Sequence, residues 1–183
     1  MTKRKPNYCP YCGTELVTRE FDGRERGFCS TCQEFIFQNP APIARTVVLD
    51  DEKALFVKHA PRTADGKWTL PEGFLEVDES AAHGAARELA EETNIRVPPE
   101  DLALVRTGHY VENPDEGSIL SICFAAEREL TTGTPEVGDE PTDVQFRDPQ
   151  ELLERDEQTR SVDLRCLEAA VGRLRGQTRD FSL

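Results

Sequence analysis

Two groups of residues in this chain have the types and spacing to do chemistry. The first is a pair of Cys-x-x-Cys pairs near the start, Cys9-Pro-Tyr-Cys12 and Cys29-Ser-Thr-Cys32, separated by sixteen residues. A two-residue gap lets both thiolates of a pair reach one ion, and two pairs complete a closed tetrahedral shell. Four protein ligands leave no open position, so the expected ion is a structural Zn²⁺ whose binding helps so small a unit to fold. The second group is Glu88, Glu91 and Glu92. At i, i+3 and i+4 of a helix their carboxylates share one face. Three crowded anions repel one another, and hard oxygen ligands grouped this way suit Mg²⁺ or Mn²⁺. Arg87 lies at i, i+4 from Glu91 and two turns beyond Glu79, within reach of bracing an acid. The plainer alternative is a solvated charged helix.

These residues need elements to hold them. Glu79–Glu92 is rich in Ala and Glu, lacks Pro and reads as a helix, with Asp78 or Ser80 as its cap. Before it, Leu70-Pro-Glu72-Gly73 forms a tight bend where backbone can approach a ligand closely. Strands are predicted over Ile43–Leu49, Ala54–Val57, Leu102–Val111, Ile119–Ala126 and, briefly, Val144–Phe146. Pro149–Arg155 and Val162–Leu174 read as helices, the second with Val162, Cys166, Leu167, Ala170, Val171 and Leu174 on one stripe. Strands packed with helices give an α/β fold. Residues 1–38 form a separate small unit, with Gln38–Pro42 as a stiff extended connector and 43–183 as the main domain. Cys123 and Cys166 sit in apolar periodic segments and read as small core residues.

Composition narrows the function classes. The chain has 183 residues, 37% hydrophobic and 31% charged, and a formal net charge of −13. That is a globular balance with a charged surface, and it also fits a high-salt source. Such a charge repels nucleic-acid backbones, so nucleic acid is not an expected partner. The Lys3, Arg4, Lys5 and Arg19, Arg24, Arg26 groups are the basic residues at this end. Ile119–Ala126, the longest uncharged apolar stretch, is too short to cross a bilayer, and no apolar segment follows the basic start, so the expected location is the cytoplasm.

The stretch Gly73 to Ile95 resembles the Nudix box, Gly-x5-Glu-x7-Arg-Glu-apolar-x-Glu-Glu-x-Gly-apolar. Eight of its nine specified positions are present: Gly73, Glu79, Arg87, Glu88, Leu89, Glu91, Glu92 and Ile95. Asn94 stands where the family has Gly, a mild departure because Asn also tolerates a left-handed cap. Trp68-Thr-Leu-Pro-Glu72-Gly73 resembles the family's entry loop, in which Glu72 is unusual. The whole layout is similar to the zinc-ribbon branch of the Nudix hydrolases, which holds NADH, ADP-ribose and FAD pyrophosphatases. Ser118-Ile-Leu-Ser-Ile-Cys-Phe lacks the Ser-Gln-Pro-Trp type sequence of the NADH enzymes, so NADH specificity is not implied.

The resemblance implies an α/β/α sandwich with a mixed sheet behind a small four-cysteine zinc ribbon. It implies a metal-dependent hydrolase that splits the pyrophosphate bond of a nucleoside diphosphate derivative such as ADP-ribose or FAD, releasing a nucleoside monophosphate. Glu88, Glu91, Glu92 and the carbonyl of Glu72 would hold Mg²⁺ or Mn²⁺, with Glu79 and Arg87 orienting them. Glu72, Gly73 and Trp68 would meet substrate, and Tyr110 and Phe74 are further rings able to stack a base. A general base is expected on the Gly133–Pro141 loop, with Glu140 favoured over Glu136, Asp139 and Glu112. His59, His83 and His109 receive no role. Relatives are commonly homodimers. The alternatives are a catalytically silent nucleotide-binding regulator and an RNA-directed enzyme of the same family.

Overall fold

The computed structural model describes residues 5–60, 66–111, 117–154 and 159–176. Glu112, Lys3, Arg4 and Arg155 of the sequence expectations lie outside these. By contact the described residues divide into two compact units: one runs to Ala41 and includes His109–Leu120, and the other is Pro42–Gly108 with the residues after Leu120. The first unit therefore takes in more than residues 1–38. Within it, the Ala41 N–H donates to the Ser118 carbonyl at 2.9 Å.

The small unit is built on β1 (Val17–Phe21), β2 (Arg24–Cys29) and β3 (Glu34–Ile36), an antiparallel sheet in the order β1-β2-β3. Each cysteine pair sits in a turn that closes on itself: the Gly13 N–H donates to the Cys9 carbonyl, and the Gln33 N–H to the Cys29 carbonyl, both at 2.9 Å. The Cys32 N–H also donates to Cys29 Sγ at 3.3 Å.

The larger sheet contains β4 (Ala41–Asp50), β5 (Lys53–His59), β6 (Trp68–Thr69), β7 (Glu72–Phe74), β8 (Ala103–Tyr110), β9 (Ile119–Glu127) and β10 (Pro141–Arg147). Its order is β10-β5-β4-β9-β8, with β6 beside β5 and β7 beside β4. Asp51, at φ 50°, makes the tight link from β4 to β5. The last two residues of the expected connector, Ala41 and Pro42, are already strand.

Period-two alternation sends successive side chains to opposite faces. Val47, Leu49, Ala54, Phe56, Cys123 and Ala125 face one core, beneath α2 (Pro149–Glu154) and α3 (Ser161–Arg175). Ala44, Val48, Leu55, Val57, Phe124 and Ala126 face the other, with Ala85 and Leu89 of α1 (Ala81–Thr93). Because both faces are covered, the central strands are apolar throughout instead of alternating with polar residues. Cys123 and Cys166 are buried in the first core, as expected. No helix among the described residues is long and apolar enough to cross a membrane.

Candidate active site

Helix α1 starts at Ser80, whose Oγ accepts the His83 N–H at 3.3 Å. It ends at Asn94, left-handed at φ 59°, whose N–H returns to the Ala90 carbonyl at 3.0 Å. Asn thus takes the backbone conformation that Gly supplies in the box. Its side chain adds a contact that Gly lacks, Nδ2 donating to the Thr134 carbonyl at 3.3 Å.

Burial of Leu89 and Ala85 fixes the roll of α1, and the three glutamates then meet three environments. Glu91 is 57% exposed, Glu88 is largely covered, and Glu92 is buried at 4%. The Glu88 carboxylate lies over the backbone of Gly73, so a Cβ there would displace that carboxylate from its present position. Arg87 clamps the outer part of the site. Its guanidinium donates to both oxygens of Glu79 at 3.1 and 2.7 Å, to Glu88 at 2.7 Å, to Glu91 at 3.0 Å and to the Phe74 carbonyl at 3.0 Å. Arg87 thereby holds Glu79 below the usual carboxylate range.

Among the described residues Glu92 has no such cation. Its partners are the Glu72 N–H at 3.1 Å and His59 Nε2 at 3.5 Å. Burial, reinforced by the charges of Glu72, Glu88 and Glu140, pushes its carboxyl up to about 8. Burial likewise raises Glu88, and it lowers His59.

Behind Glu92 lies a buried network that the sequence did not announce. The Glu72 carboxylate turns inward, between Arg45 Nε and Arg160 Nη1, the latter at 2.6 Å. Asp163, fully buried, takes Arg160 Nε at 2.8 Å and faces Arg45 Nε at 3.4 Å, while Arg45 Nη1 donates to Ser121 Oγ at 2.8 Å. Burial works against an ionised Glu72, but the two guanidiniums outweigh it and hold its carboxyl low. The side chain of Glu72, where the resemblance implies a substrate contact, is instead engaged by Arg45 and Arg160. Trp68 is a second correction: at 3% exposure its ring belongs to the core with Val47 and Phe56, and no face is left to stack a base.

Arg45, His59, Arg160 and Asp163 are the site residues that sequence reading missed. A lone arginine inside the apolar run Ile43–Leu49 was the available signal, because a charge there must find a buried partner. Arg160 and Asp163, three apart at the start of α3, were the other.

The 133–140 loop caps the last turn of α1. The Glu136 N–H donates to the Thr93 carbonyl at 3.0 Å and the Gly138 N–H to the Glu92 carbonyl at 3.1 Å, pairing carbonyls that a helix end leaves open. Gly138 is packed so closely on the Glu91 carbonyl that a Cβ would not fit. This docking brings Glu140 near enough for its charge to act on Glu88, Glu92 and His59. Glu136, Asp139 and Glu140 are all exposed, Glu136 accepting from Thr134 Oγ1 at 3.4 Å.

In the small unit the sulfurs of Cys9, Cys12, Cys29 and Cys32 lie within 4.8 Å of one another, a shell for one metal ion. Among the described residues no other Cys, His, Asp or Glu group converges so tightly.

A model of the NUDIX domain matches residues 40–167. A MutT-like protein of Streptomyces ambofaciens is 36% identical over 113 residues, 62% of this chain and 66% of that protein. The NAD-capped RNA hydrolase NudC of Escherichia coli is 33% identical over 94 residues, 51% of this chain and 35% of that one. The chain thus spans less than two thirds of either relative. The solved structure of a NUDIX hydrolase from Nitrosomonas europaea superposes with a TM-score of 0.72 at 28% identity, covering 94% of this chain and 95% of the other.

Proposed function

The chain belongs to the NUDIX family, and on that premise we propose that it is a divalent-metal-dependent hydrolase. It cleaves the pyrophosphate linkage of a nucleoside diphosphate derivative, of the ADP-ribose or FAD kind, and releases a nucleoside monophosphate. The observation that carries this reading is the buried carboxylate of Glu92, on the same face of α1 as Glu88 and Glu91. Among the described residues Glu92 is buried with no arginine or lysine bonded to it, and the Glu88 carboxylate rests against the backbone of Gly73. Hard oxygen donors in that state fit Mg²⁺ or Mn²⁺.

Glu88, Glu91, Glu92 and the Glu72 carbonyl would hold the ion. When bound it supplies neutralisation of the diphosphate and acidification of water. Arg87, tied to Glu79 and to the Phe74 carbonyl, sets the positions of Glu88 and Glu91 and competes for them with the cation. Glu72, through its N–H, orients Glu92. Glu140 is the base that takes the proton of the attacking water. It stands on a loop bonded to the same helix, and its charge bears on both Glu88 and Glu92. The four cysteines hold a structural Zn²⁺.

Glu91→Gln and Glu92→Gln each lower Mg²⁺-dependent monophosphate release from a panel of ADP-ribose, FAD and dinucleoside polyphosphates by about 100-fold or more, a typical loss for one charge-stabilising group. Circular dichroism of both variants stays unchanged. Full activity in either variant, or no turnover of any panel member by the parent with Mg²⁺ or Mn²⁺, overturns the reading.

A further inference from the structure

The net charge of −13 is not spread evenly, and one face of the cysteine unit's sheet gathers arginines. Cross-strand partners in an antiparallel sheet share a face, and neighbours along a strand alternate. The register pairs Arg19 with Arg26 and Phe21 with Arg24. It also pairs Val17 with Phe28 and Phe28 with Phe35, on the same face as the three arginines. The opposite face takes Glu20 opposite Glu25 and Thr18 opposite Gly27. One face therefore carries three arginines and no acid, and the other carries the sheet's paired acids.

The aromatic rings on the basic face are not simply core. Phe28 is buried, but Phe21 is 45% and Phe37 is 52% exposed. Phe21 stacks against Phe35 at 4.7 Å and meets Phe37 edge-on at 6.1 Å. The Arg19 guanidinium lies 3.8 Å over the Phe28 ring, and Arg26 lies 4.7 Å over Phe37. Guanidiniums seated over rings have less rotamer freedom left to lose when an anion binds their N–H groups. Beside the strands a cavity of about 200 Å³ is lined by Lys5, Arg24, Arg26 and Gln38, with Glu25 as its one acid. Arg26 Nε is buried and has no hydrogen-bond partner among the described residues.

We propose that this face is a binding site for single-stranded nucleic acid, with the arginines and Lys5 contacting phosphates and the exposed phenylalanines stacking bases. An electropositive surface interleaved with exposed rings is the combination that takes flexible single strands without needing base-edge readout. The acids elsewhere do not forbid it, because screening at physiological salt limits their reach to roughly 8 Å. The proposal departs from the expectation, drawn from the net charge of −13, that nucleic acid is not a partner. It does not rest on the hydrolase reading.

The test is fluorescence anisotropy of the full chain with a labelled RNA of about twelve nucleotides, titrated over a range of salt concentrations. Each neutralised phosphate contributes about −0.7 to the slope of log K against log salt, so three contacts give a slope near −2. Arg24→Gln reduces that slope by about 0.7. Phe37→Ala weakens binding about tenfold with the slope unchanged, and Phe37→Trp retains it. Both positions are exposed, and metal content per chain checks that the cysteine unit is intact in every variant. No binding at low salt by metal-loaded protein overturns the proposal, as does binding indifferent to Arg24→Gln and Phe37→Ala. If instead sedimentation shows a dimer that Arg24→Gln dissolves, and RNA does not bind, the proposal is overturned and the face belongs to an acidic surface of a second copy.

Discussion

The four cysteines and the three box glutamates are both groups of metal-ligand type, yet the structure treats them differently. The cysteine sulfurs already lie within 4.8 Å of one another, whereas the carboxylates of Glu88, Glu91 and Glu92 do not converge. A cysteine has a short side chain, and each pair sits in a turn closed by its own backbone hydrogen bonds, so local geometry alone aims the sulfurs. Glutamate is longer, and helix spacing fixes only which face it leaves from. Arg87 then draws Glu88 and Glu91 to one side, while burial takes Glu92 to the other. A closed shell suits an ion that stays for structure, and a splayed one suits an ion that must also admit substrate.

Three experiments break or sharpen this contrast. The largest effect is expected at the cysteines. Cys9→Ser with Cys12→Ser should release the bound ion and unfold the small unit, since structural zinc in comparable small units contributes on the order of 10 kcal/mol. Metal analysis and circular dichroism read the result, and retained stoichiometric zinc would contradict a shell of these four ligands.

The next concerns the network behind Glu92. Arg160→Ala leaves Glu72 and Asp163 facing Arg45 alone. Losing one partner of a buried ion pair costs about 3–5 kcal/mol, towards the lower end here because Arg160 is partly exposed. Urea denaturation measures it. Arg160→Lys should recover only part of the loss, because one ammonium cannot serve Glu72 and Asp163 as a fork does.

The smallest effect is a pH dependence. In metal-free protein the Glu92 carboxyl is raised to about 8 from an unfolded value near 4.5, so the folded state holds the proton more tightly. That contribution to stability is complete below about pH 4.5 and is lost as pH rises through 8. The groups facing Glu92 are Glu72, Glu88, Glu140 and His59. Stability from denaturant midpoints should therefore fall between about pH 4.5 and 8 and level off above, by a few kcal/mol at most. Glu92→Gln should flatten the profile, and Mg²⁺ should flatten it in the parent. A parent profile as flat as that of Glu92→Gln would contradict the burial argument.

Much of the fold could be read from the chain because its strands and helices carry strong local patterns. Ile43–Leu49, Ile119–Ala126 and Glu79–Glu92 are found as strand, strand and helix within a few residues. The short strands Trp68–Thr69 and Glu72–Phe74 were missed, since they exist only by pairing with β5 and β4. Asp163 stands three and four residues before Cys166 and Leu167, on the core-facing stripe of its helix, where a carboxylate needs a partner. It is buried because Arg45 and Arg160 are there to meet it.

What the sequence determined by itself is therefore whatever depends on short-range spacing. It placed the cysteine pairs, the carboxylate face of α1 and the left-handed end at Asn94, because turn and helix geometry reach no further than a few residues. The tertiary structure decided everything that depends on which distant charges meet. It turned Glu72 inward between Arg45 and Arg160, buried Trp68, docked the Glu140 loop on α1 and gathered three arginines on one sheet face. A side chain's burial and partners come from elements far away in the chain, and its electrostatics follow from those partners and not from its neighbours in sequence.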